Sequence, residues 1–125
     1  MLIERAEEAL RAAQLCLEAE LVNSAASRAY YAMFQAAQVA LEAAGVARAQ
    51  WSHPALQAAF TATLIHRRKT YPAALRDNLS AGLRVRQVAD YGTAGISRVI
   101  AHRIVRRAAT FVSTVEEGTG HGPRA

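Results

Sequence analysis

Cysteine is nearly missing from this chain of 125 residues, with Cys16 as its sole representative. An internal disulfide is therefore excluded, and so is a cysteine-built zinc site. Proline occurs three times and glycine seven times, too seldom for a turn-rich all-β fold or a Gly/Pro-rich linker. No glycine-rich phosphate loop follows a strand-like run, and no segment repeats at a fixed period. No apolar stretch approaches the roughly 20 residues that a membrane-spanning helix needs. The N-terminus shows neither a basic, apolar, small-residue leader nor a lipidation motif, so the reading predicts a cytoplasmic protein. Lysine is almost absent as well: Lys69 is the only one among 15 basic side chains. In an Ala-rich chain this matches GC-rich coding more simply than arginine-specific chemistry, although arginine does suit bidentate phosphate contacts.

What is abundant is helix-forming apolar sequence. Hydrophobic residues make up 52% of the chain, enough for a single core at this length, which buries about two-thirds of the extended-chain surface. Ile3, Ala6, Leu10, Ala13, Leu17 and Leu21 recur at helical spacing and predict a first amphipathic helix over 2–21. Asn23 or Ser24 is the expected cap of a second helix with the stripe Tyr30, Met33, Phe34, Ala37 and Leu41, ended by Gly45. Ser52 with His53-Pro54 opens a third helix to about Lys69. Pro72 restarts the chain as a fourth, carrying Leu75, Leu79 and Leu83 and ending near Asp90-Tyr91-Gly92. A fifth, from Ile96 to about Glu117, carries Val99, Ile100, Ile104, Ala108, Phe111 and Val115. No stretch alternates as a strand does. The expected fold is an all-α, four- to five-helix up-and-down bundle over 1–117, with 118–125 a disordered tail.

Charge is distributed unevenly. Residues 1–45 hold three Arg against six Glu, net −3, whereas residues 46–125 hold twelve basic and four acidic side chains, net +8. The second part therefore suits an acidic partner. Within it, Arg86 and Asp90 stand out. At 100° per residue both fall roughly 20° from Leu79 on the apolar stripe, which predicts a partly desolvated i, i+4 ion pair. Such pairs are enriched at functional sites and also serve to fix helix packing. Arg84 faces solvent.

The four histidines do not make a metal site, because none has a His, Cys or carboxylate partner at helical ligand spacing. His66 precedes Arg67, Arg68 and Lys69 at a helix C-terminus, where cations complement the dipole. Arg98, His102 and Arg106 form a basic stripe on the fifth helix, either a solvated outer face or a phosphate- or RNA-contacting one. Tyr30 and Phe34 fit the core, while Tyr31 sits on the flank of the second helix, where its phenol can reach a partner helix or a ligand. No Ser-His-Asp or Cys-His grouping supports nucleophilic catalysis, and no cofactor is implied.

The segments SRAYYAMFQAAQVALEAAG (27–45), SHPALQAAF (52–60) and RQVADY (86–91), in that order, resemble a HEPN-domain protein. The likeness is to the short stand-alone branch whose second helix carries an Arg-Ala-Tyr-Tyr-Ala-Met-Phe signature. It implies a helical bundle that is usually a homodimer and often partners a minimal nucleotidyltransferase in a toxin-antitoxin pair. Catalytic members of the family are metal-independent endoribonucleases with an Arg, four to six residues, then a His near the fourth helix at the dimer interface. Arg86 matches that Arg, but the chain continues Gln87-Val88-Ala89-Asp90-Tyr91 and no His follows at the required distance. Arg48 and His53 meet the spacing across a loop, where the match is accidental. Cleavage of RNA needs a base and an acid, and the motif as written supplies no acid.

Three readings follow. The first is a dimeric module that binds nucleotide or RNA phosphate near Arg86, Asp90 and Tyr91, with Tyr31, His53, Arg98, His102 and Arg106 as further contacts. The second is a ribonuclease toxin using Arg86 and Asp90 with Tyr91 or His53. The third is a structural dimerisation module. A homodimer is expected, since the second helix offers a mostly Ala surface with Tyr31 on its flank and so small a bundle leaves apolar area to cover.

Overall fold

The computed structural model describes residues 2–120, and among them there is no strand. Five helices follow in order: α1 (Leu2–Glu18), α2 (Val22–Ala43), α3 (His53–Ala59), α4 (Ala73–Tyr91) and α5 (Arg98–Gly118). A π-helical stretch, Phe60–Arg67, continues α3 without a break. The expected all-helical bundle is present.

Helix α2 is the hub, packing along α1, α4 and α5 and touching α3. Its alanines explain how one helix serves so many neighbours. Ala25, Ala26, Ala29, Ala32, Ala36, Ala37 and Ala40 are all buried, and α1 adds the buried Ala6, Ala9 and Ala13 to the same core. Small side chains let helix axes come close, and burial of this kind is worth about 25 cal/mol per Å² of apolar surface. The Ala surface of α2 is thus covered within the chain. On the α4 side the approach is closest at Gly82. A Cβ there would fall 2.5 Å from the Met33 terminal methyl and 3.1 Å from the Tyr30 ring. The glycine that weakens α4 as a helix former is what lets it lie against α2.

Several boundaries differ from those predicted. Helix α1 stops at Glu18, not at Leu21, because Glu20 adopts a left-handed conformation (φ 62°) and Leu21 N–H donates back to Cys16 O at 2.8 Å. A left-handed non-glycine costs roughly 1–2 kcal/mol, and no glycine advertises this turn. Leu21 is left 55% exposed. Asn23 does not cap α2; Leu21 holds the cap position with no side-chain bond, and Asn23 Oδ1 instead accepts from Ile96 N–H at 3.0 Å. Gly45 (φ 82°) does end α2 as expected, with Val46 N–H reaching Leu41 O, a Schellman closure.

The third helix was expected to be uniform, but its second half widens into π winding. That winding turns Thr63, Leu64 and Ile65, three successive residues, toward the interior together, beside Phe60, which stacks on Tyr71 (5.9 Å) and leans on Phe111 (5.5 Å). Helix α5 starts at Arg98 behind the capping Ser97, whose hydroxyl accepts from Ile100 N–H at 3.2 Å. Its buried stripe is Ala101, Ile104, Val105, Ala108, Phe111, Val112 and Val115. Val99 and Ile100, predicted to be inside, are exposed. The helix runs to Gly118, and residues 121–125 of the expected tail lie outside the described residues. No described helix is long and apolar enough to cross a membrane.

Candidate functional site

Three helices converge on Arg86. Helix α4 presents it one turn before Asp90, and Arg86 Nε donates to Asp90 Oδ2 at 3.2 Å. The expected ion pair therefore forms, with the two side chains 29% and 28% exposed, partly dry yet open to water. From the first turns of α2, the Ser27 hydroxyl donates to the same carboxylate oxygen at 3.4 Å.

The third contributor is His53, the first residue of α3. Ser52 caps this helix through a hydrogen bond from Ala55 N–H (3.2 Å), and Pro54 occupies the first turn, where its missing N–H costs nothing. The cap fixes where the imidazole stands between α2 and α4. His53 Nε2 lies 3.2 Å from Arg86 NH1, and its Nδ1 lies 2.8 Å from the Tyr30 hydroxyl. The ring also packs against Phe34 edge-on at 5.1 Å. Arg86 lies 5.9 Å from the centre of the Tyr30 ring.

These contacts determine the protonation state. Arginine has only donors, so the nitrogen facing it must be bare, and the proton of neutral His53 sits on Nδ1. The Tyr30 oxygen accepts that proton's hydrogen bond. Burial, and next the Arg86 charge, hold His53 below its ordinary 6.5, which keeps it neutral. Burial likewise pushes the Tyr30 hydroxyl up to about 12, against the opposing pull of Arg86 and Gln57. Tyr30 is 1% exposed, so it orients His53 from behind and does not face the groove itself.

The other candidate residues are distributed around this cluster. Tyr91, one residue beyond Asp90, is 78% exposed and joins neither Arg86 nor Asp90. Tyr31 is exposed on α2, with the Arg28 guanidinium 5.0 Å above its ring. Arg98 pairs with Glu20 at 3.0 Å. Together with Val99, His102, Arg103 and Arg106 it lines a shallow groove on the outer face of α5. The contacts Ser27–Asp90, Asn23–Ile96 and Glu20–Arg98 place the Arg86 cluster and the start of this stripe at one end of the bundle. Arg48 takes no part: its guanidinium stacks 4.5 Å over Trp51. His53, whose spacing to Arg48 was accidental, meets Arg86 instead, 33 residues away in sequence. Two of the readings of the sequence named His53 alongside Arg86, but helical periodicity alone gives no signal that the two side chains touch.

Chemically, the cluster offers a fixed cation with free donors, a neutral base beside it and a carboxylate that anchors the cation. Among the described residues no group of His, Cys, Asp or Glu is arranged to hold a metal ion. The family model described as HEPN domain matches residues 1–118, nearly the whole chain. No curated protein matches it.

Proposed function

The chain belongs to the HEPN family, and on that premise we propose that it is a helical module binding the phosphate of a nucleotide or RNA at the Arg86–His53 groove. In this reading it acts as the partner of a minimal nucleotidyltransferase in a toxin-antitoxin-like pair. The observation that carries the ligand is the state of Arg86: held by Asp90 through Nε and touching His53 at NH1, it is 29% exposed and keeps further N–H donors. A guanidinium so positioned suits a phosphate. The basic stripe Arg98, His102 and Arg106 lies at the same end and extends the contact along a backbone. HEPN domains commonly dimerise, and Leu21, Val88, Tyr91, Val99 and Ile100 are apolar groups left exposed at or near that end. A homodimer would cover them.

One observation favours a ribonuclease toxin as the second reading. His53 supplies in space the imidazole that the sequence lacks after Arg86. With Arg86 against the phosphorane and His53 taking the 2′-hydroxyl proton, a base is present, while no general acid stands beside them among the described residues.

Fluorescence anisotropy with a short oligouridylate at low salt tests the first reading. Binding is expected for the unmodified chain and a loss of tenfold or more, about 1.4 kcal/mol, for Arg86→Ala. Absence of binding by the unmodified protein refutes the reading. Expression alone and with a nucleotidyltransferase encoded beside it, scored for growth and RNA integrity, separates binding from cleavage. Light scattering should give twice the 13.5 kDa chain mass.

A further inference from the structure

As it stands, His53 meets an anion at Arg86 with a bare ring nitrogen, and the mismatch has a definite chemical resolution. Its bare Nε2 is spent on Arg86 NH1 at 3.2 Å, the end of the guanidinium that is not tied to Asp90. NH1 carries two hydrogens, and an anion drawn to this end of Arg86, whether it shares NH1 with His53 or displaces it, lies beside the Nε2 lone pair, which is repulsive. Adding a proton to Nε2 turns the repulsion into a second charge-assisted hydrogen bond.

We propose that the Arg86–His53 groove binds an anion together with one proton, His53 passing from a neutral acceptor of Arg86 to a cationic donor to the ligand. The proposal rests on the phosphate-binding reading above and adds to it the proton and the residue that takes it.

The surroundings favour such a change. From α2, the Tyr30 oxygen accepts from Nδ1–H and continues to do so in the imidazolium, so the ring need not turn. Phe34, also from α2, is neutral. From α4, Arg86 opposes the new charge and Asp90, bound to Arg86 Nε, offsets it. On its own helix, the neutral Gln57 hydrogen-bonds the Tyr30 hydroxyl. Burial and Arg86 hold His53 below 6.5; an incoming negative charge acts in the opposite direction. Between these two values, affinity rises as pH falls, up to tenfold per pH unit by linkage.

Titration calorimetry of the full chain with a thymidylate dinucleotide tests this, since its phosphodiester keeps one charge from pH 5 to 8. Measurements at one pH in two buffers of different ionisation enthalpy count the protons taken up. Near pH 7 the unmodified chain is expected to take up a substantial fraction of one proton, and to bind about tenfold more tightly at pH 6 than at pH 8. His53→Gln should abolish the uptake and flatten the pH profile, while His66→Gln, an exposed control away from the groove, should leave both unchanged. Thermal melts confirm that each variant is folded, and the proton count on the unmodified chain needs no variant. Binding without uptake overturns the proposal but spares the phosphate reading, as does uptake that persists in His53→Gln. No binding at any pH in low salt removes both.

Discussion

Arg86 and Asp90 form a pair whose energetic character follows from its exposure. Removing Asp90 with Asp90→Ala leaves Arg86 beside His53 and the Tyr30 ring, with water at a side chain that is already 29% exposed. A dry pair broken on one side would cost roughly 3–5 kcal/mol. This one is a single Nε to Oδ2 contact of 3.2 Å, not bidentate, with both partners wet. It belongs with solvated pairs, for which coupling is about 1 kcal/mol or less. Arg86→Ala loses more, because it also gives up the His53 contact and the placement near Tyr30, the latter worth about 0.5–1 kcal/mol. The expected stability losses are therefore about 1 kcal/mol for Asp90→Ala and about 2 kcal/mol for Arg86→Ala, with a melting shift of about 4 °C per kcal/mol at this chain length. Thermal unfolding of the two single variants and the double variant gives the coupling directly. A coupling near 1 kcal/mol with ligand affinity lost in Arg86→Ala matches a ligand groove. A coupling of about 3 kcal/mol or more, with affinity unchanged, refutes the reasoning and makes the pair a packing device.

Other consequences are equally open to measurement. Replacing Arg98 and Arg106 with Ala should weaken oligonucleotide binding and reduce the slope of log affinity against log salt by about 1.4, two phosphate contacts on a single strand; an unchanged slope means that the stripe is only solvated. Ser52→Ala removes the cap on α3 and should cost about 1 kcal/mol, with ligand affinity falling too because His53 loses its fixed entry; denaturant unfolding and anisotropy read the two effects. Glu116 is pushed up to about 7 by burial and by Glu7 and Glu117, so the stability tied to its protonated form is complete below about 4.5 and drains as pH rises through 7. Glu116→Gln should therefore raise the melting temperature at pH 8 and leave it unchanged at pH 4.

The parts of this molecule legible in the sequence are those governed by local rules. Apolar spacing located every helix, Ser52 with Pro54 marked the start of α3, Gly45 marked the end of α2, and the Leu79 stripe exposed the oddity of Arg86 and Asp90. Turns made without the usual residues were not legible. Glu20 turns left-handed without being glycine, and the chain carries no sign of it. The π winding after Phe60 is set by packing against Tyr71 and Phe111, residues distant in sequence. Alanine was ambiguous in kind: the same run reads as an open face or as a close-packed hub, and only the positions of α1, α4 and α5 decide that α2 is the hub. The site was half legible for the same reason. Arg86 and Asp90 lie one turn apart, whereas His53 arrives from another helix, and helical periodicity carries no information on which helices meet.

The central claim is that a phosphate lodges between Arg86 and His53, and the imidazole of His53 is its most direct reporter. Only four histidines occur in the chain, so their ring resonances can be assigned with single substitutions and followed by nuclear magnetic resonance while oligouridylate is added. The account predicts that the His53 ring signals shift saturably with the ligand, and that Arg86→Ala abolishes that shift. A saturable shift at His102 with His53 unmoved would contradict it and place the ligand on α5 alone.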